Sequence, residues 1–333
     1  MDPLSDVLRV IRLNGAYFYA VEASDAWCVA SVAATELRPR ILPEAEHLIS
    51  YHILTAGRCW GGLLEGERVE LLPGDVILFP QGDAHVMASG PAIQLADRPD
   101  TMSSARYPNT VRLGSDPRET AFVCGFLGCD RLPFNPLIAT LPRLMHVRGL
   151  SHGWLEMFAR QVLEESRTGR AGADEVLTRL AELMFIEVLR RHLEALGPDQ
   201  TGWLAGLRDP VVGRALSLVH ARPEHPWTLE ELAQETGSSR SKFAERFAGL
   251  VGRPPMQYIA AWRMQVAAGL LTRTGAKVAT VASEVGYDSE AAFSRAFKKA
   301  TGLSPGSWRE ARSVSSYGSG NTRMPRPPSP DRR

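Results

Sequence analysis

Residues 229–258 recur, slightly lengthened, at residues 278–308, and a duplication of this kind confines the C-terminal third of the chain to two copies of one small helical unit. The first copy carries Leu232-Ala233, Gly237, Phe243, Phe247, Gly252, Pro255 and Tyr258. The second carries Val281-Ala282, Gly286, Phe293, Phe297, Gly302, Pro305 and Trp308. The offset is 49 residues up to the glycine and 50 beyond it, so one residue is inserted in the turn. Each copy predicts a short helix, a turn at Gly237 or Gly286, and a second helix with apolar residues at i, i+4. That is the helix-turn-helix pattern, whose second helix can enter a major groove of DNA.

Between the copies, Ile259 to Thr272 reads as one uninterrupted helix of about 14–16 residues, roughly 21–24 Å long. Such a rod could hold two recognition helices about one DNA turn apart, roughly 34 Å, on one face of the duplex. Charge agrees with this reading. Residues 1–208 carry 20 Lys/Arg against 26 Asp/Glu, whereas residues 209–312 carry 14 against 10, so the positive surplus lies with the repeat. On each second helix the paired phenylalanines take the buried face. The outer face is left to Ser239, Arg240, Ser241, Lys242, Glu245 and Arg246 in the first copy, and to Ser289, Glu290, Ser294, Arg295 and Lys298 in the second. Arg295 is the best base reader, since Arg can bridge guanine O6 and N7. Lys242, Arg246 and Lys298 suit phosphates. Glu245 could accept from a cytosine amino group or steady Arg246 or Lys242.

The rest of the chain differs in character. From 47 to 127, short apolar runs alternate with Gly, Pro and Asp, which indicates a sandwich or barrel. Ala16-Tyr17-Phe18-Tyr19-Ala20-Val21 suggests a strand near the N-terminus. From about 150 the spacing turns helical: Trp154, Phe158 and Val162, then Val176, Leu180, Leu183-Met184 and Val188. The second stripe is wider than one helix needs to cover a sheet, so part of it is expected at a homodimer contact. The Ser, Gly, Pro and Arg-rich stretch 313–333 has little to bury and is expected to be disordered. No apolar run approaches the ~18–20 residues of a membrane span. No secretory signal is expected at the N-terminus, and four cysteines in 333 residues suit a reducing cytoplasm better than a disulfide scaffold.

Gly252-Arg253-Pro254-Pro255-Met256-Gln257-Tyr258, Val285-Gly286-Tyr287-Asp288-Ser289, Phe293-Ser294-Arg295-Ala296-Phe297-Lys298 and Gly302-Leu303-Ser304-Pro305 together resemble the AraC/XylS family of bacterial transcription regulators. The resemblance implies two helix-turn-helix modules joined by a long helix, and RNA polymerase as a protein partner. Upstream, Gly74 to His85 fits Gly-x5-Pro-x-Gly-x2-His, the second motif of cupin barrels, and segment 1–145 resembles the cupin-type sensing domain that precedes this DNA-binding domain in one AraC subgroup. The fold class expected is α+β: a cupin-like β-barrel over 1–145, helices over 150–208, and an all-α domain over 209–312 with helix-turn-helix motifs at 229–250 and 278–300.

Metal-dependent cupins place a His-x-His and a Glu in their first motif. Here Ser50 stands where that Glu would fall, and His47 and His52 form no His-x-His, so catalysis is not expected and neither is a cofactor. His52 and His85 remain a conceivable metal pair, because imidazole suits Zn, Fe, Cu and Ni. The expected small-molecule effector site is the barrel interior at His52, Cys59, Trp60 and His85. Cys124 and Cys129 would face opposite sides of one continuous strand, or meet as a redox pair if Gly128 turned the chain. The chain is thus expected to be a sequence-specific, DNA-binding transcription regulator, an activator responding to an effector. A ligand-independent repressor or architectural protein, and a metal-dependent cupin enzyme with a docking domain, are the alternatives.

Overall fold

The computed structural model describes residues 2–318, apart from 11–12, 25, 44, 92–109, 115–116, 118, 131–132, 150–151, 169 and 198–199. Helix α1 (Pro3–Val10) leads into β1 (Leu13–Ala23), β2 (Cys28–Ser31), α2 (Ala34–Ile41), β3 (His47–Ala56), β4 (Cys59–Leu63) and β5 (Val69–Leu71). Next come β6 (Val76–Phe79), β7 (His85–Ala88), β8 (Thr110–Leu113), β9 (Thr120–Cys129), α3 (Pro136–Thr140) and β10 (Met145–Val147). The described strands form two sheets, ordered β10-β6-β3-β9-β1-β8 and β2-β7-β4-β5. The expected cupin-like β-domain is present, as two packed sheets rather than one continuous barrel. The smaller sheet is built of strands only three to five residues long, too short to carry a hydrogen-bond ladder around to the larger one. The fold remains cupin-like, with two sheets packed over a shared interior.

The larger sheet is buried on both faces, and strict alternation divides its side chains. Tyr19, Leu48, Leu54, Phe122 and Cys124 point inward with Cys59, Leu71 and Met87 of the smaller sheet. Phe18, Ile49, Ile53, Val123 and Cys129 point the other way, onto Phe158, Val162, Phe185 and Val188 of α4 (His152–Thr168) and α5 (Ala173–Ala195). Cys124 and Cys129 therefore occupy opposite faces of β9, in two different cores. Gly128 continues the ladder opposite Leu48 and makes no turn, which removes Cys124–Cys129 as a disulfide pair.

Helices α6 (Trp203–Arg208) and α7 (Pro210–Ala221) put Trp203, Leu204, Val212 and Leu216 into one core with Phe243 and Phe247. The two repeat units are α8 (Leu229–Glu235) with α9 (Arg240–Val251), and α11 (Val278–Glu284) with α12 (Glu290–Thr301). Thr228 caps α8 by accepting from the Glu231 N–H, and Ser289 caps α12 by accepting from the Ala292 N–H. The connecting helix α10 (Pro255–Arg273) starts earlier than expected because Pro255 sits in its first turn, where a missing N–H costs nothing. Its first half contributes Tyr258, Ile259 and Trp262 to the first module's core. Its second half contributes Met264, Ala267, Ala268 and Leu271 to a separate core with Val281, Phe293, Phe297 and Trp308. Helix α13 (Pro305–Gly318) runs past Arg312 into the stretch expected to be disordered; the remainder of that stretch, 319–333, lies outside the described residues.

The two turn glycines are not equivalent. Both have positive φ, +64° at Gly237 and +76° at Gly286. A Cβ on Gly237 would meet open space, whereas one on Gly286 would lie 2.3 Å from the Glu224 carbonyl oxygen. Gly237→Ala is expected to cost about 1 kcal/mol, from the left-handed backbone alone. Gly286→Ala is expected to cost about 3 kcal/mol, because backbone must also move. Urea unfolding of the two variants would compare them, and equal losses would refute the packing argument.

Candidate functional site

Helices α9 and α12 present the outer faces read from sequence. Ser239, Arg240, Ser241, Lys242, Glu245 and Arg246 are exposed, as are Ser289, Glu290, Arg295 and Lys298, and Ser294 is half-buried. Phe243, Phe247, Phe293 and Phe297 are fully buried beneath them. The two faces differ electrically. Arg246 donates from Nε to an Asp209 carboxylate oxygen at 2.8 Å, and Asp209 also caps α7 through the Val211 and Val212 N–H groups. Arg240 pairs with Glu230 at 2.8 Å. On α12, Arg295 and Lys298 form no ion pair among the described residues, so the second module offers its cations unneutralised. The Asp209 partner of Arg246 has no sequence signal, because it lies 37 residues away on another helix.

The modules are locked to each other. Arg263 of α10 donates from Nε to the Pro223 carbonyl and from Nη2 to the His225 carbonyl, both at 2.7 Å. This ties down the loop whose Glu224 carbonyl packs on Gly286 of the second module. The N-terminal domain docks on the same helix. The Phe134 N–H donates to Gln265 Oε1 at 2.9 Å, the Phe134 ring meets Tyr258 edge-on with centroids 5.5 Å apart, and the Arg253 guanidinium lies 4.8 Å over it. Arg312 of α13 stacks on Trp308 and pairs with Glu46 and Asp130.

Between the two sheets lies a cavity of about 40 Å³ with His52, His85, Cys124, Tyr19, Ser31 and Met87 in its wall. Strand pairing aligns the polar members: Tyr19 and His52 both sit opposite Cys124, from β1 and β3 on either side of β9. His52 Nε2 is 2.8 Å from His85 Nε2, and His52 Nδ1 is 2.8 Å from Cys124 Sγ. His85 Nδ1 lies 2.9 Å from the Asp83 carbonyl, and its ring stacks on Phe79 at 3.8 Å. Burial holds both imidazoles neutral, His85 lowered to about 4 and His52 well below its ordinary value. Burial also pushes the Cys59 thiol up to about 12 and raises that of Cys124, so neither is a ready nucleophile.

Of the four side chains expected in an effector site, His52 and His85 line this cavity and Cys59 and Trp60 do not. Cys59 is buried in the same interior core. Trp60, one residue on, is half-buried on the other face of β4, as alternation requires. Tyr19, Ser31, Met87 and Cys124 were not anticipated; the signal available was their inward parity on strands that were only partly recognised. His52 and His85 engage each other directly, and among the described residues no three His, Cys, Asp or Glu side chains converge as a metal would need.

Comparison with known proteins agrees with this architecture. A family model described as cupin matches residues 2–194, and one described as a helix-turn-helix domain matches residues 232–311. An AraC-like transcription regulator of Streptomyces antibioticus is 30% identical over 316 residues, covering 93% of this chain and 99% of the relative. The transcriptional regulator AlkR of Acinetobacter baylyi is 29% identical over 317 residues, with the same coverage. The RCS-specific transcriptional activator RclR of Escherichia coli is 28% identical over 269 residues, covering 79% of this chain and 84% of the relative. These relatives are transcription regulators, not enzymes.

His85 and, in the first module, His220 set a pH dependence. Burial lowers His85 to about 4 and His220 to about 3. The unfolded chain takes up both protons near 6.5, and the folded chain does not. Stability is therefore complete above about pH 6.5 and is lost as pH falls toward the folded values, by about 2 kcal/mol per imidazole between pH 7 and pH 5. Urea midpoints at the two pH values should show this loss, and it should shrink in His85→Gln. An unchanged difference would clear His85 of the effect.

Proposed function

This chain belongs to the AraC-like family of helix-turn-helix transcription regulators, and on that premise we propose that it is a cytoplasmic activator whose two-sheet domain binds an effector and whose paired modules read promoter DNA. The observation that carries the reading is the placement of α9 and α12 at the two ends of one helix, α10, whose halves are embedded in separate cores. At 19 residues, α10 is roughly 28 Å long. That length suits two recognition helices lying in successive major grooves on one face of the duplex.

Residue roles follow from the electrostatics. Arg295 reads a base, and Lys298 and Lys242 contact phosphates, with Ser289, Ser294, Ser239 and Ser241 able to donate to the backbone. Arg240 and Arg246 are held by Glu230 and Asp209, so their part is to keep α9 in place and only secondarily to meet DNA. Glu245 and Glu290 discourage close approach of phosphate at their positions and so sharpen register. The effector occupies the cavity walled by His52 and His85. The docking of Phe134 on Tyr258 and Gln265, and of Arg312 on Glu46 and Asp130, is the physical route from that cavity to the modules. A recruited RNA polymerase is the partner expected of an activator.

The same reading includes a homodimer. The α5 stripe is split by the fold: Met184 is buried under the sheet, while Leu183 is 56% exposed, with Val176 one heptad before it and Met157 of α4 at 64%. These apolar residues stand on the outer surface of α4 and α5, framed by the Arg179–Glu182 and Arg191–Glu187 pairs. That pattern suits a helix face shared with a second copy.

Two measurements test the reading. Arg295→Ala is expected to weaken binding to DNA selected by the full-length protein from a random library, by about 1–3 kcal/mol, and to relax preference at one base position. Binding should also fall steeply with salt. An Arg295→Ala protein that binds every variant as the unaltered chain does would sink the assignment. Leu183→Glu is expected to turn a micromolar dimer into a monomer in sedimentation, with the unfolding midpoint unchanged. A full-length chain that sediments as a monomer at every concentration would exclude the interface.

A further inference from the structure

The hydrogen bonds around the cavity have a single possible direction. A carbonyl can only accept, so His85 Nδ1, 2.9 Å from the Asp83 oxygen, carries its ring's proton. A neutral His85 then presents Nε2 as an acceptor, and His52 Nε2, 2.8 Å away, must be the donor. With its proton on Nε2, a neutral His52 offers Nδ1 as an acceptor, which the Cys124 thiol at 2.8 Å fills. The Tyr19 hydroxyl donates in turn to Cys124. The Ser31 hydroxyl, on the same wall, is directed to the Val32 carbonyl at 3.3 Å. The protons of His52, His85, Cys124, Tyr19 and Ser31 are thus directed to partners within the protein rather than into the cavity.

The remainder of the wall is apolar, including Met87, Val29 and Phe122, and among the described residues no Lys, Arg, Asp or Glu lines it. Against this wall an anion would meet no cation, and a cation would meet no carboxylate. Either would be stripped of water without compensation, which an interior of low polarity does not tolerate. The space of about 40 Å³ is roughly three times what one water needs, so the occupant is also small.

We infer that the cavity takes a small, uncharged and largely apolar molecule whose polar group, where it has one, is a hydrogen-bond donor such as a hydroxyl. This rests on the reading of the cavity as the effector site and specifies the chemistry of that effector.

The test uses full-length protein labelled at the methionine methyl groups, with the Met87 signal assigned by its loss in Met87→Leu. Four probes of similar size are titrated at pH 7: 1-butanol, butan-2-one, butyrate and butylammonium. The expectation is that 1-butanol shifts the Met87 methyl saturably, with a Kd in the millimolar range given the few atoms available for contact. Butan-2-one, which only accepts, should bind at least several-fold more weakly, and the two ions should leave the signal in place. Val29→Phe, which fills the cavity from β2, should abolish the 1-butanol shift. Butyrate or butylammonium binding as tightly as 1-butanol, or butan-2-one binding more tightly, would overturn the ligand class while leaving the cavity a binding site. A 1-butanol shift that survives in Val29→Phe would place the binding elsewhere. No shift of Met87 with any probe would remove the effector site and the inference together.

Discussion

The hydroxyl of Tyr258 receives the Trp203 indole N–H at 2.8 Å and shares a second hydrogen bond of 2.7 Å with His220 Nε2, deep in the first module. His220 is also stacked on Trp262 with centroids 3.9 Å apart, while Phe247 and Phe134 pack edge-on against the Tyr258 ring. Four aromatic neighbours drawn from α6, α7, α9 and the N-terminal domain therefore meet one side chain of α10, with Trp262 behind His220. Leaving a buried phenol oxygen unsatisfied costs about 1–3 kcal/mol, and both hydrogen bonds of Tyr258 avoid that cost. The helices of the first module and, through Phe134, the docking of the N-terminal domain meet at this side chain. Because burial keeps His220 neutral, the knot does not change charge at ordinary pH.

The second organising fact is a sheet with both faces buried. Each strand of the larger sheet divides its residues by parity, so that Phe18 and Tyr19, or Val123 and Cys124, belong to different cores. The inward set builds the cavity and its polar wall. The outward set carries α4 and α5, and through them the exposed stripe at Leu183. One alternation thus serves the cavity, the covering helices and, through them, the exposed apolar stripe, and a one-residue slip in β3 or β9 would exchange the two faces.

Much of this was readable in the residues. The duplicated glycines, phenylalanines and prolines specify local geometry, because a left-handed turn, a buried i, i+4 face and a helix start each require particular residues. The spacing Gly74 to His85 likewise encodes a strand, a tight turn and a new strand, and β6 and β7 follow it. What escaped depends on distant partners. Helix α1, which packs on α7 and α10, is only eight residues long, and although Asp2 caps it through the Ser5 N–H, its packing partners lie some 200 positions away. Cys59 and Trp60 looked equivalent until strand pairing set which faces inward. Arg246 reads as a free cation until α7 brings Asp209 against it. Closure of the barrel could not be judged from runs that reveal strands but not their lengths. Helix α13 continues into a polar stretch because its start at Pro305 and its anchor at Trp308 determine it, not the composition that follows.

The connecting helix α10 has a consequence for how such a protein can change over evolutionary time. Its two halves are gripped by different cores, with Trp262 in one and Met264 in the other. Each residue of an α-helix advances about 1.5 Å and turns about 100°, so adding or removing one residue there would swing the second recognition helix around the axis and off the face of the duplex that the first one reads. On the proposed reading the helix acts as a gauge block, and the distance and phase of the two half-elements of the operator would be copied from it. Target sites could then drift in base sequence as individual side chains on α9 and α12 change, while their spacing stayed tied to the length of α10. On the same reading, a signal from the N-terminal domain would reach the two modules together, because Arg263 and the packing at Gly286 join them through the 223–225 loop.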